Sequence, residues 1–228
     1  MSATPADRAV DAGQLEPLCS LDDPTRRRLY DYVAAQHTPV TRDQASDELG
    51  LERSTVAYHL DRLVDQDLLT ASFARPEGRS GPGAGRPAKR YERSDTEFAV
   101  SVPPRDYQLA AELLARAAQA DPTGTVRHAL DEAATQLGRE LAEGEGPCDD
   151  LVTYLARQGF EPYEDDGVIR LRNCPFHQLA QHHTELICGM NLALLTAVTE
   201  TLQTDAEPHL DPAPQRCCVA FARSTQPA

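Results

Sequence analysis

Residues 51–69 read LERSTVAYHLDRLVDQDLL, and the placement of the other elements follows from this stretch. Val56, Leu60, Leu63 and Val64 recur at the spacing of one helical stripe, whereas Thr55, Tyr58, His59 and Arg62 fall together on another. The first stripe has the chemistry of a core. The second carries hydroxyl, imidazole and guanidinium groups that can hydrogen-bond to something outside the domain. An ordinary amphipathic helix with a solvated face has the same two stripes, so the neighbouring segments decide between the readings.

Upstream, TRDQASDELG sets Thr41 three residues before Gln44, a capping-box pattern, and ends on Gly50, a helix stop. Before it, SLDDPTRRRLYDYVAAQ offers Asp22 or Asp23 as an N-cap, Pro24 near the first helical position, and Leu29 and Val33 as an apolar pair. Two helices joined at Gly50-Leu51, the second with a polar outer stripe, form a helix-turn-helix pattern, whose second helix enters the major groove. Downstream, TASF and AKRYERS have strand composition, and ARPEGRSGPGAGRP lies between them with Arg75, Arg79 and Arg86. With Lys89, Arg90 and Arg93 this hairpin holds six cations against Glu77 and Glu92, enough to grip phosphates without reading sequence. A basic linker would not need flanking strands, so the segment reads as a wing.

The ordered set LDDPTRRRLYDYV, STVAYHLDRLVDQDLL and GRPAKRY resembles the winged helix-turn-helix of ArsR-like transcriptional regulators over about residues 18–94. The resemblance implies that Arg53, Ser54, Thr55, Tyr58, His59 and Arg62 face bases and phosphates of double-stranded DNA. Arg75, Arg79, Arg86, Lys89 and Arg90 would grip the backbone from the wing. Asp61, Asp65 and Asp67 weaken the helix's own attraction to DNA, which shifts the expected affinity toward the wing.

The charge is distributed accordingly. The chain of 228 residues has a net charge of −14, which taken whole argues against a generic nucleic-acid binder. Residues 26–93, however, hold 12 Lys and Arg against 10 Asp and Glu, and residues 94–228 hold 9 against 21. The acid belongs to the rear half. No apolar run of membrane-spanning length appears, and MSATPADRAVDAGQLEPL lacks the basic-then-apolar pattern of a signal peptide, so a cytoplasmic protein with no membrane partner is expected. In that compartment the six cysteines are metal ligands, redox thiols or small buried hydrophobes before they are disulfides.

Two further helices follow. DYQLAAELLARAAQ aligns Leu109, Leu113 and Ala117, with Ala110 and Leu114 alongside, and TVRHALDEAATQLGRELA aligns Val126, Leu130, Ala133, Leu137 and Leu141. They suit the seam of a symmetric homodimer on a palindromic operator, or packing against their own rear domain; the first is the expectation.

In the rear, CDDLVTYLARQG reads as a helix ending at Gly159, and FEPYEDDGVIRLRN as a hairpin turning at Asp165, Asp166 and Gly167. Cys174 then precedes Pro175 and a helix start, near N–H groups that favour thiolate. Cys188 shares a helix stripe with Leu192 and Leu195. In RCCVAFA, strand alternation turns Cys217 inward with Val219 and Phe221 and Cys218 outward. His177, His182 and His183 are additional possible ligands, Cys148 is a more remote one, and Cys19 is expected to pack in the front half. These long spacings are unlike the tight pairs of zinc ribbons and suit a larger iron–sulfur cluster, whose ligands come from separate elements. NCPFHQLAQHHTELICGMN followed by RCCVAF resembles the sensor domain of SufR-type repressors. That resemblance implies iron–sulfur ligation by Cys174 and Cys188, with Cys217 or Cys218 completing the set.

The expected fold is α+β and mostly helical: a tail over 1–17, a winged helix-turn-helix over 18–94, a helical connector over 95–145, and a small α/β sensor domain over 146–228. The expected protein is a regulator controlled by an iron–sulfur cluster, not an enzyme. Zinc, thiol oxidation or a small organic ligand could replace the cluster as the signal, and a thiol oxidoreductase fused to a DNA-binding module is the reading of another class.

Overall fold

The computed structural model of the chain describes residues 12–74, 87–101, 105–144, 150–213 and 216–223. They divide into two compact units, residues 1–105 and residues 106–228. The architecture is α+β and mostly helical, as the sequence predicts.

The front unit begins with α1, Ala12–Ser20, inside part of the stretch expected as a tail. Its buried members, Pro17 and Ser20, lie one turn apart, and Cys19 falls off their side and is exposed; the expectation that Cys19 packs is corrected. Helix α2, Pro24–Ala34, starts where the Asp23 carboxylate accepts the Thr25 and Arg26 N–H groups at 2.9 Å, and it buries Leu29 and Val33. Strand β1, Val40–Thr41, leads into α3, Arg42–Leu49, through the full Thr41/Gln44 capping box. Gly50, at φ +64°, takes the left-handed conformation that ends α3, and α4 follows over Arg53–Asp65.

The expected hairpin forms as β2, Leu69–Ala74, and β3, Ala88–Arg93. The antiparallel sheet has the order β1-β3-β2, so Tyr91 lies opposite both Val40 and Ala71. Leu29, Val33, Val40, Ala45, Val56, Leu60, Leu63, Leu69 and Tyr91 make one core beneath the helices. Full burial of a leucine such as Leu60 contributes about 1.5–3 kcal/mol, so the apolar stripe of α4 fixes which face is left for solvent.

The rear unit takes both helices of the expected connector. Asp106 caps α5, Tyr107–Ala120, by accepting the Leu109 N–H at 2.7 Å. The Asp121 carboxylate caps α6, Thr125–Gly144, through the Thr123 and Val126 N–H groups. Then come α7, Leu151–Arg157, the hairpin β4, Pro162–Asp165, with β5, Val168–Leu171, and α8, His177–His182. They are followed by α9, Thr184–Thr201, β6, Ala206–Leu210, and β7, Val219–Arg223. The β4–β5 turn places Asp166 at φ +50° and Gly167 at φ +76°, the paired left-handed conformations of a tight hairpin. The antiparallel sheet has the order β4-β5-β7-β6.

Helix α6 packs on α9 through Ala134, Gly138 and Ala142, the small-residue face and not the leucine stripe. A Cβ at Gly138 would sit 2.4 Å from the Leu194 carbonyl oxygen, so the close approach requires glycine. That choice leaves Leu109, Leu113, Leu114, Val126 and Leu137 exposed.

Candidate functional site

On α4, Val56, Leu60 and Leu63 fill the core, and Arg53, Ser54, Thr55, Tyr58 and Arg62 are exposed. Tyr58 keeps 65% of its surface open to solvent. His59, assigned to the same stripe by spacing, is half-buried with its ring edge-on to Tyr58 at 5.1 Å. Spacing alone puts it on the outer stripe, and the fold covers part of it. Asp23 is held below the usual carboxylate range, first by the Arg26 N–H.

The cations of this face have carboxylate partners. Arg53 lies 2.5 Å from Asp43, and Arg62 lies 3.8 Å from Glu16 of α1. Such exposed pairs contribute about 0–1 kcal/mol each, so a phosphate can replace either carboxylate at little cost. Lys89 is bound more firmly. Its Nζ donates to Asp61 Oδ1 at 2.6 Å, the Tyr91 hydroxyl donates to the same oxygen at 2.9 Å, and Lys89 also lies 5.2 Å from the Tyr91 ring centroid. Burial opposes charge on Asp61, but these two hydrogen bonds outweigh it and hold the carboxyl below its usual range. Burial and the Asp61 carboxylate push the Tyr91 phenol up.

Asp61, which by sequence only subtracts from DNA affinity, therefore fastens the reading helix to β3. No local spacing could reveal a partner 28 residues away across a hairpin. Arg90 is half-buried on β3, and Arg75, Arg79 and Arg86 lie outside the described residues.

In the rear unit, Cys174 follows β5, Cys188 lies on α9, and Cys217 and Cys218 precede β7. Cys174, Cys188 and Cys217 are buried and Cys218 is partly so. Side-chain contacts join Cys174 to Cys217, Cys217 to Cys218 and Cys218 to Cys188, so all four thiols belong to one group. This corrects the expectation that Cys218 points away. Strand alternation begins only at Val219, and the two preceding residues are set by other bonds: the Cys217 N–H donates to the Leu171 carbonyl at 2.9 Å, and the Cys218 carbonyl accepts the Asp211 N–H at 2.7 Å. Asp211 also binds the guanidinium groups of Arg170 and Arg216, which fastens the same turn from its outer side.

The group is built to place negative charge on Cys217. Contacts with the Cys174 and Cys218 thiols, the Val219 N–H and the Asn191 amide bring its thiol down, against the cost of burial. The same contacts with Cys217, together with burial, push Cys174 and Cys218 up. The Phe176 N–H acts on the Cys174 sulfur at the α8 approach, where a helix start was expected to favour thiolate.

The histidines are engaged elsewhere. His183 is buried, with Nδ1 2.7 Å from Gln119 Oε1 and Nε2 2.9 Å from Glu112 Oε2, which ties the start of α9 to α5. Glu112 is held below the usual carboxylate range, first by Arg116 and then by His183. The His177 ring bonds to Gln181, and that of His182 lies 3.4 Å from the Gln178 carbonyl oxygen. Cys148 lies outside the described residues. Among the described residues no three His, Cys, Asp or Glu side chains surround a point fit for a single metal ion, and no helix is long and apolar enough to cross a membrane.

Residues 21–70 match a family model described as a helix-turn-helix domain. The matched span runs from just before α2 through α3 and α4 into β2. The match supports a DNA-binding transcriptional regulator. No curated protein and no solved structure matches the chain.

Proposed function

We propose that the protein is a homodimeric transcriptional regulator whose operator affinity is set by an iron–sulfur cluster held by Cys174, Cys188, Cys217 and Cys218. The observation that carries the reading is the meeting of these four thiols from separate parts of the rear unit. An iron–sulfur cluster takes thiolate ligands from separate elements, which this set supplies. The donor chemistry fits: four soft sulfurs, with contacts that favour thiolate at Cys217. When bound, the cluster supplies a centre that gains or loses charge and disassembles under oxidants. The resemblance of this segment to SufR-type sensor domains points the same way.

Within the rear unit this chain's residues also link the cysteine-bearing helix to the first helix of that unit. Helix α9 carries Cys188, and His183 at its start bonds to Glu112 and Gln119 of α5, the helix just past the division between the units. The exposed Leu109, Leu113 and Leu114 of α5, with Val126 and Leu137 of α6, offer a second copy an apolar face, and two copies would read a palindromic site. The test is anaerobic reconstitution of wild type and of the four single Cys→Ser variants with ferrous iron and sulfide. Wild type should become brown and hold iron and sulfide in equal amounts, and Cys174→Ser and Cys188→Ser should lose most of both. Colourless wild type, or variants that keep full iron, would contradict the assignment.

A second reading, thiol oxidation, draws on the contact between Cys217 and Cys174. It predicts colourless protein with a reducible disulfide between that pair after mild oxidant.

A further inference from the structure

Asn191 lies on α9 three residues after Cys188, so both side chains leave the same side of the helix. It is fully buried, at 0% exposure, in a helix whose other buried residues are aliphatic apart from Cys188 and Thr199. Its Nδ2 donates to the Cys217 sulfur at 3.4 Å, and its Oδ1 has no hydrogen-bond partner among the described residues. For the fold alone this is a poor choice. A buried amide satisfied at one end costs free energy that an apolar side chain of similar shape would not, and a partly satisfied polar group is worse than none.

We infer that Asn191 is a positioning residue of the cysteine site, retained because its amide holds the Cys217 sulfur in place for iron and shares its charge. The inference rests on the cluster reading above and adds a residue that is not itself a ligand. A hydrogen bond to a ligating sulfur disperses thiolate charge, fixes the direction in which the sulfur presents its lone pairs, and raises the reduction potential of an attached cluster. Removing such an outer partner commonly weakens metal binding by about 10- to 100-fold. Asn191 supplies a side-chain amide among the main groups that act on Cys217, beside the Cys174 and Cys218 thiols and the Val219 N–H. The two thiols lose their protons when they become ligands, so of these side-chain donors only the amide persists in the loaded site.

The test compares full-length wild type, Asn191→Leu and Asn191→Ala. Each is reconstituted without oxygen, and three quantities are measured: the rate of iron loss to a chelator, the reduction potential of the bound cluster, and the thermal midpoint of the iron-free protein. The expected result is iron loss about tenfold faster in both variants, a potential shifted to more negative values, and iron-free Asn191→Leu at least as stable as wild type. Asn191→Ala should be less stable when iron-free, because it leaves a cavity, yet lose iron at the same rate as Asn191→Leu. Variants that keep wild-type iron retention and potential overturn the inference and leave the cluster reading intact. A merely structural role, in which iron-free Asn191→Leu unfolds well below wild type and iron loss tracks stability, overturns it too. Wild type that takes up no iron overturns both.

Discussion

The two units solve opposite problems with their polar groups. In the front unit most of the described groups assigned to DNA lie on the surface, and three of their charges already have partners: Arg53 with Asp43, Arg62 with Glu16, and Lys89 with Asp61. In the rear unit the functional groups are buried, gathered from distant elements, and left partly unsatisfied at Asn191. An exposed site can keep provisional partners because water and salt make the exchange cheap. A buried site has no such reserve, and under the proposed reading its unsatisfied amide serves the ligand.

If the units are distinct, damage to one core should stay there. Leu60→Ala, a fully buried side chain on α4, should cost about 2–5 kcal/mol, and Gly138→Val, which drives a Cβ into the Leu194 carbonyl, about 1–3 kcal/mol or more. Calorimetry should show each substitution lowering one transition while the other keeps its midpoint. A single transition moved by both would mean that the units do not unfold separately.

The next effects concern DNA. Replacing Arg79, Arg86 and Arg90 together by Ala should weaken binding to every sequence and reduce the salt slope by about 0.9 for each phosphate no longer neutralised. An unchanged slope would remove the wing from the interface. Tyr58→Ala or Arg62→Ala should instead change sequence preference, by about 1–3 kcal/mol where the side chain pairs well with a base. Equal weakening on all sequences would reassign them to phosphate.

The route from α9 to α5 can be tested separately. His183→Ala should leave iron content intact while shrinking the difference in operator affinity between loaded and iron-free protein, because α9 is then released from Glu112 and Gln119. A full difference in that variant would place the coupling elsewhere.

The smallest effect is expected at Asp61. Its carboxyl is held below its ordinary value in the folded protein, so its contribution is complete above the ordinary carboxylate range and fades as pH falls through the lowered value. Asp61 is about half exposed, which limits the contribution to under about 1 kcal/mol. Asp61→Asn should flatten that acid limb slightly and loosen β3 from α4, read as faster amide exchange in β3. Unchanged exchange would mean that the Lys89 and Tyr91 hydrogen bonds hold nothing in place.

What can be read from the sequence follows the same division. Helix caps, the Gly50 stop and the apolar stripe of α4 are local signals, since each is fixed within one or two turns, and all reappear in the fold. Non-local contacts are not legible in this way. The Asp61 link to Lys89 spans a hairpin, and Cys218 joins the cysteine group because residues 217 and 218 precede the regular strand. The leucine stripes of α5 and α6 show how periodicity can mislead about partners: they predict a packing face, and within the unit the close approach to α9 falls on Ala134, Gly138 and Ala142 instead. Asn191 gives no signal, because a single asparagine in an apolar helix acquires meaning only from the sulfur beside it.

Whether the rear cysteines control the front interface can be decided by operator binding measured anaerobically on one preparation before and after its iron is removed. At fixed salt, affinity should change by about 5- to 150-fold, corresponding to a coupling of about 1–3 kcal/mol, and the change should reverse when iron and sulfide are restored. The same treatment should change nothing in Cys174→Ser. Loaded and iron-free wild type that bind the operator with equal affinity would contradict control by the cluster.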